Sequence, residues 1–500
     1  MPPIRSMDKA LDNKYLDGLS GKRMLLISAN TYADPYPIYP LGISYLKTAV
    51  ANRYPALRVD VADMNFTTIE QLADMIKANG YMAVGLSMRN IDNVNYQERN
   101  YFVEWYKKLA ECIKRSTNAV FHGGGAGYSI FPQLLYRELG LDFGIKGEGE
   151  DALCRMIEVM LQYGIESGTQ LQSLVNDGTI ENKMSEIEGL VWCDGKGHIR
   201  VNGRVNYEKE LDLSFEDECI DYYWERSGML NIQTKRGCPH HCIYCSYPII
   251  EGAVVRTLSS ERIVNVLKEL YHRHKINYVF FTDSVFNMKR SYNYELCQRI
   301  IDSGIKISWG AYFSPNKYLT ERDLELYKKS GLTHIEFGTE SFSDTQLKNY
   351  GKEFCWAEVL EKSKICDSLG IFYSHFMILA GYGETEQSLQ ESYEHSRLLD
   401  NTVIFPYIGM RIYPGTKLAE YAVVEGIIKS EADMLKPCFY ISKSVDLNKI
   451  KPNAKATGAN WVFPDDPPQP LMERYRKKKI RGPLWEYLRF ARFNSNNYGE

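Results

Sequence analysis

The stretch TKRGCPHHCIYCSYP (residues 234–248) decides how this chain is read. It follows a candidate strand, LNIQTK (230–235), and sets Cys238, Cys242 and Cys245 on one short loop with CxxxCxxC spacing. Three thiolates so placed can hold three corners of a cubane iron–sulfur cluster and leave the fourth iron open to another ligand. A structural zinc ion would want four ligands, and His240 or His241 could supply the fourth. The strand–helix pattern around the loop favours the cluster. The other cysteines, Cys112, Cys154, Cys193, Cys219, Cys297, Cys355, Cys366 and Cys438, are scattered, and the total of 11 is odd. A disulfide scaffold is therefore not expected.

Downstream of the loop, candidate strands recur at YVFFTD (278–283), ISWGAYF (307–313), HIEFG (334–338), YSHFMIL (373–379) and YIGMRIY (407–413), with helical stretches between them. Six such βα units fit a partial barrel over residues 229–425, although counting alone does not separate six from eight. Upstream, MLLISAN (24–30), RVDVADM (58–64), YMAVGLSM (81–88), AVFHGGG (119–125) and DFGIKG (142–147) alternate with helices. FVEWYKKLAECIKR (102–115) is the most clearly amphipathic of these. This pattern predicts a doubly wound, Rossmann-like parallel sheet over residues 1–163. Ligands of such sheets bind beyond the strand carboxyl ends, here the loops 30–42, 87–95, 122–128 and 146–150. No GxGxxG follows the first strand, which argues against a dinucleotide. Residues 164–228 read as a connector whose Asp194-Gly195-Lys196-Gly197 makes a hairpin turn. Residues 426–500 form a small C-terminal region expected to shape the substrate entrance. The expected class is thus α/β: a doubly wound sheet, a partial (β/α)6 barrel and a short tail.

Composition narrows the function. The chain has 500 residues, about three domains' worth. Hydrophobic residues make up 44% and charged residues 25%, as in folded soluble proteins. Sixty Lys+Arg against 63 Asp+Glu leave a net charge of −3, so no basic field points to nucleic acid. Mean hydropathy is −0.36, and no apolar run is long enough to span a bilayer. The first residues, MPPIRSMDKALDNKYL, lack the apolar centre of a secretory signal. A cytoplasmic location is expected. The basic run RYRKKKIR (474–481) reads as a solvated face.

The cysteine loop resembles the signature of the radical S-adenosylmethionine (SAM) superfamily. FTDSVFN (281–287), IEFGTES (335–341), FMILAGYGET (376–385) and RIYPGT (411–416) resemble that family's later barrel motifs, in the same order. The resemblance implies a [4Fe-4S] cluster on Cys238, Cys242 and Cys245. It also implies a SAM site involving Tyr244, Asp283, Glu340, Ser341, Gly381 and Arg411. Glu340 matches the ribose-binding carboxylate, and Tyr244 the residue that contacts adenine.

The first domain resembles the cobalamin-binding domain that precedes many of these enzymes, through YPLGISYLKTAV, VGLSM, FHGGGAGYSIFP and IKGEGEDAL. The resemblance implies cobalamin contacts from Leu41, Gly42, Ser87, Met88, Arg89, Asn90, Gly123, Gly124, Gly125, Gly147, Glu148 and Gly149. The glycines are expected to let the backbone approach a large flat ligand. No DxHxxG motif occurs, so His122 is expected to be structural and cobalamin to bind without a histidine below cobalt. Arg89 is the candidate for that lower face. Its pairing with a carboxylate such as Asp92 is an equal alternative.

Together these resemblances imply a cobalamin-dependent radical SAM C-methyltransferase. It would methylate an unactivated carbon by way of a 5′-deoxyadenosyl radical and methylcobalamin, with an external electron donor. A peptide or protein residue, glutamine in the narrowest form, is the expected substrate. A cobalamin-dependent cyclase or oxidase, an enzyme acting on a lipid or natural product, and a non-catalytic cobalamin or redox sensor are the alternatives.

Overall fold

The computed structural model describes residues 19–207, 211–466, 469–485 and 488. The sequence readings at residues 1–18, and at the tail positions 486–487 and 489–500, lie outside these. The chain divides into two compact units. One takes the chain up to Thr31, with Gly42–Asn90 and Val103–Ser214; the other takes Tyr32–Leu41, Ile91–Phe102 and the chain from Phe215 onward.

In the first unit, β1 (Arg23–Ser28), β2 (Arg58–Asp63), β3 (Ala83–Ser87), β4 (Val120–Gly124) and β5 (Phe143–Ile145) pair in parallel, in the order β2-β1-β3-β4-β5. These strands are short apolar runs because both faces of the sheet are covered by helices. The hairpin of the connector is β6 (Leu190–Cys193) and β7 (Ile199–Val201), which extends the same sheet antiparallel beyond β5. A core of Met24, Leu26, Val120, Phe143, Ile157 and Trp192 joins the parallel strands to the helices and the hairpin. Ser28, Ser87 and Gly124 lie level in the register, so the tips of β1, β3 and β4 form one edge. The strand order reverses between β1 and β3, which is where such sheets open a crevice.

In the second unit, β8 (Leu230–Ile232) is followed by a short antiparallel pair, β9 (Lys235–Arg236) and β10 (Arg256–Thr257). The main sheet continues with β11 (Tyr278–Phe281), β12 (Ser308–Phe313), β13 (Leu332–Glu340), β14 (Phe372–Leu379) and β15 (Thr402–Ile408). It runs β8-β11-β12-β13-β14-β15, parallel throughout. Six strands are present as expected, but the sixth runs Thr402–Ile408 rather than over 407–413. A small pair, β16 (Met410–Arg411) and β17 (Phe439–Tyr440), follows. Strand alternation fixes which side chains face inward. His375 of β14 meets Ser363 Oγ of the helix Trp356–Leu369 at 3.2 Å and Thr339 Oγ1 at 2.8 Å, so that face of β13 and β14 turns to the helices. His334, Glu336, Gly338 and Glu340 occupy the other face. Among the described residues no helix is long and apolar enough to cross a membrane.

Candidate active site

The cysteine loop is fastened at both ends. The backbone N–H groups of Thr234 and Lys235 donate to Asp283 Oδ1 at 2.6 and 2.8 Å, and Lys235 Nζ lies 3.0 Å from Asp283 Oδ2. Gly237 N–H donates to Glu251 Oε2 at 3.0 Å, and Cys238 N–H to Gly252 O at 3.0 Å. Gly237 is left-handed (φ 89°), and a Cβ there would come within 2.2 Å of Val254 O. Farther along, Ile243 N–H donates to Tyr350 O at 3.1 Å, while Leu418 N–H donates to Ile243 O at 2.8 Å. The path of the loop is thus fixed by bonds that use none of the three thiols.

Its three thiols lie close enough to act on one another electrostatically, and none is in a disulfide. Burial pushes the Cys245 thiol up to about 12 and raises Cys238 and Cys242 in the same direction. Binding of iron would then have to displace three protons, which is how such donor sets couple metal to pH. His240, one proposed fourth zinc ligand, turns Nδ1 to Glu353 at 3.2 Å. Among the described residues no three His, Cys, Asp or Glu gather around a single metal-ion point. The donor set that fits this loop is three thiolates spread over a cluster.

Beside the thiols stands an ion pair that sequence reading did not find. Lys352 Nζ contacts Glu340, and it also donates to Gly338 O at 3.0 Å. Its side chain is 8% exposed and that of Glu340 13%. Burial works against the lysine's charge, but Glu340 and the nearby Cys242 outweigh it and hold the ammonium above the ordinary lysine range. The ammonium also lies 5.7 Å from the centre of the Tyr244 ring. Nothing in the sequence around Tyr350-Gly351-Lys352 marks that lysine, because lysines seldom lie buried. The turn is tight: Gly351 is left-handed, and a Cβ there would meet His241 O at 2.7 Å. Glu340 itself is left-handed (φ 62°), at a register shift where β13 leaves β14. A non-glycine residue held so is strained by about 1–2 kcal/mol, and bulges of this kind re-aim a side chain.

The structure therefore brings Cys238, Cys242, Cys245, Tyr244 and Glu340 together. The other expected SAM residues are engaged elsewhere. Asp283 is spent beneath the loop, as above. Ser341 is buried, accepts from Ser343 N–H at 3.1 Å and faces Ser392. Gly381 makes room for Tyr350, whose hydroxyl would sit 2.3 Å from a Cβ there and which donates to Ile378 O at 3.0 Å. Arg411 donates to Asp92 Oδ2 at 2.8 Å and to the carbonyls of Ile412 and Met434, each at 2.7 Å. Both members of that ion pair are 1% exposed. Asp92, weighed above as a partner for Arg89, thus gives one oxygen to Arg411 and the other to Val94 N–H.

In the first unit the strand tips are laced to one another. Met88 N–H donates to Gly124 O at 2.8 Å, Gly127 N–H to Met88 O at 2.9 Å, and Gly147 N–H to Ser129 Oγ at 2.8 Å. The glycines have two different causes. A Cβ at Gly125 (φ 103°) would lie 2.5 Å from Met88 O, at Gly123 2.7 Å from Leu141, and at Gly149 2.9 Å from Leu46. Those three have a packing reason of their own, at Gly125 against backbone and at Gly123 and Gly149 against leucine side chains. At Gly124 the nearest atom is Ile145 O at 3.5 Å, and at Gly42 nothing lies within 4 Å. These two leave open backbone at the edge where a ligand can come close. Gly42 and Leu41 open the helix Leu41–Arg53, Ser87 ends β3, and Arg89 and Asn90 follow it. Glu148 is buried in the β5 loop, its carbonyl held by Arg204.

His122 lies inside β4, its ring 4.8 Å from Phe143 and parallel to it. Burial pushes it down to about 4, so it is neutral, and a Cβ on Gly85 would clash with it at 2.4 Å. The unit's other histidine, His198, sits at the hairpin turn beside Asp194. Gly125→Ala should destabilise the protein by about 2 kcal/mol or more in denaturant unfolding, whereas Gly124→Ala should change it by under about 1 kcal/mol. Equal effects would show that the β3–β4 contact is drawn wrongly.

Comparison with known proteins matches a separate family model to each of two stretches of the chain. Residues 29–157 match the B12 binding domain model and residues 232–395 the Radical SAM superfamily model. An uncharacterized methyltransferase of Pyrococcus horikoshii is 24% identical over 406 residues, 78% of this chain and 79% of that one. A tryptophan 2-C-methyltransferase of Streptomyces laurentii is 22% identical over 77% of this chain and 72% of its own. The fold is that of the radical SAM methyltransferase TsrM of Kitasatospora setae, solved with cobalamin and a [4Fe-4S] cluster. The TM-score is 0.81 at 19% identity, over 94% of this chain and 97% of that one.

Proposed function

We propose, for a chain that belongs to the cobalamin-dependent radical SAM methyltransferases, that the methyl acceptor is an unactivated carbon of a peptide or protein residue, glutamine in the narrowest form. The observation that carries the reaction is the Glu340–Lys352 pair set against two of the three loop thiols. Cys238, Cys242 and Cys245 would hold the cluster, while the open backbone at the helix start Gly42 and the strand tip Gly124 would admit cobalamin, with Arg89 toward its lower face. When bound, the cluster would supply the electron that splits SAM, and cobalamin would carry the methyl group.

The chain's own residues do the rest. Glu340 accepts the ribose hydroxyls of SAM, and its bulged, left-handed backbone aims it there. Lys352 pairs with that carboxylate and offers a cation to the carboxylate end of SAM. Tyr244 covers the adenine. Asp283 and Glu251 hold the loop so that little is reorganised on binding, the preorganisation on which such sites depend. Neither histidine of the first unit is placed to bind cobalt, which supports a lower face without imidazole. An external one-electron donor completes the partners. The test is to incubate the reconstituted protein and a reductant with SAM carrying a trideuterated methyl group and a peptide pool. A product heavier by one labelled methyl supports the reading. A product altered without the label would instead indicate cyclase or oxidase chemistry.

A further inference from the structure

We infer that the barrel interior below Glu340 receives part of the substrate, and that Glu336, with Ser374 beside it, reads a nitrogen hydrogen-bond donor on that substrate. This rests on the methyl-transfer reading and names the chemical class its site takes: an apolar group carrying an N–H or an ammonium.

Glu336 shares the inward face of β13 with Glu340. They lie four positions apart in the chain, with a register shift between Gly338 and Glu340. The register sets Tyr312 of β12 on one side of Glu336 and Ser374 of β14 on the other. Above them Phe376 and Phe405 stack, with ring centres 5.3 Å apart. Phe376, Ile378, Phe405 and Tyr407 keep partial exposure, whereas the helix-facing Met377, Leu379, Ile404 and Ile408 are buried. So the barrel is not packed solid at this level. Trp485, from the C-terminal region, closes the floor edge-on to His334 and Phe405, at 5.4 and 5.9 Å.

The floor carries hydrogen-bonding capacity that the protein does not fully use. Trp485 Nε1–H donates to Glu336 Oε1 at 2.9 Å, and no other side-chain hydrogen bond acts on that carboxyl among the described residues. The Ser374 hydroxyl is fully buried and has no hydrogen-bond partner among the described residues. An unmet buried polar group costs about 1–3 kcal/mol, so natural interiors rarely keep one without a use. Burial also pushes the Glu336 carboxyl up to about 7, which lets it meet either a neutral N–H or an ammonium. Tyr407 lies within electrostatic reach of Glu336, Tyr32 and Asp34. No lysine or arginine among the described residues acts on Glu336, so an anionic group finds no cationic partner at this floor.

The test titrates the full-length, cluster- and cobalamin-loaded protein calorimetrically with benzylamine, indole and benzoate. Benzylamine and indole should bind and benzoate should not. Glu336→Leu should weaken both bound probes about tenfold or more, and Glu336→Gln should keep indole but lose benzylamine about tenfold. Cluster absorbance and the cobalamin spectrum check that each variant is folded. If Glu336→Leu does not fold, Ser374→Ala should still weaken indole about threefold or more. Binding that ignores these substitutions, a preference for benzoate, or no binding of any probe would overturn the inference. Glu336-dependent binding with no labelled methyl transferred would leave it standing and sink the reaction assigned above instead.

Discussion

Cys242→Ala is expected to remove the iron–sulfur cluster and, with it, all formation of 5′-deoxyadenosine from SAM. The wild-type protein, purified without oxygen, should carry about four irons and four sulfides. Cys242 is the middle member of the triad, and Cys238, Lys352 and Glu340 all act on its thiol. Two remaining thiolates cannot hold three corners of a cluster. The loop should nevertheless keep its shape. Its fastenings run through Asp283, Glu251 and backbone bonds to Tyr350 and Leu418, none of which uses the thiol. So iron content and cleavage should fall together while the unfolding temperature stays within a few degrees of wild type. Cys355→Ser, at an exposed thiol on the N-cap of Trp356–Leu369, should leave both untouched. A Cys242→Ala protein that kept normal cleavage, or bound one zinc in place of four irons, would refute the assignment.

The second large effect is expected at Glu340. Glu340→Ala removes the carboxylate from a buried pair and leaves the Lys352 ammonium facing Gly338 O and an empty space. Breaking a buried pair from one side typically costs about 3–5 kcal/mol. The backbone offsets none of that cost, because alanine would keep the strained left-handed conformation. The unfolding midpoint should fall clearly, and SAM affinity should fall by tenfold or more, about the loss of one charge-assisted hydrogen bond. The double variant Glu340→Ala with Lys352→Met separates the two roles. It should recover most of the stability, since an apolar pair can replace an ionic one, and none of the SAM affinity. Recovery of both would mean that Glu340 acts only on Lys352.

Much of this molecule was legible in its sequence, and the reasons differ from place to place. The cysteine loop was readable because three thiols at fixed spacing have few uses. Both sheets were readable because buried parallel strands leave short apolar runs that alternate with helices. Their register was not, since it depends on tertiary packing. The glycines of the strand-tip loops stood out, but their cause did not: a Cβ at Gly125 would strike Met88, while at Gly124 the nearest atom, Ile145 O, lies at 3.5 Å. Arg411 and Asp283 matched motif positions, and the structure shows their charges spent on Asp92 and on the Thr234–Lys235 backbone. Lys352 was invisible because its meaning comes from a residue twelve positions away across a bulge. Glu336 was invisible for a similar reason. An alternating strand shows which face a residue takes, but not that Trp485 returns from the far end of the chain to close that face.

The central claim, that cobalamin held on the strand tips of the first unit carries the methyl group, is tested most directly by Gly124→Trp. A Cβ at Gly124 has room, with Ile145 O at 3.5 Å the nearest atom, so the unit should fold. The indole would then occupy the open edge and exclude cobalamin. The measurement pairs two products in one reaction: 5′-deoxyadenosine from SAM, and substrate carrying the labelled methyl. Gly124→Trp should bind no cobalamin, still form 5′-deoxyadenosine, and make no methylated product. Normal methylation by a variant that contains no cobalamin would contradict it.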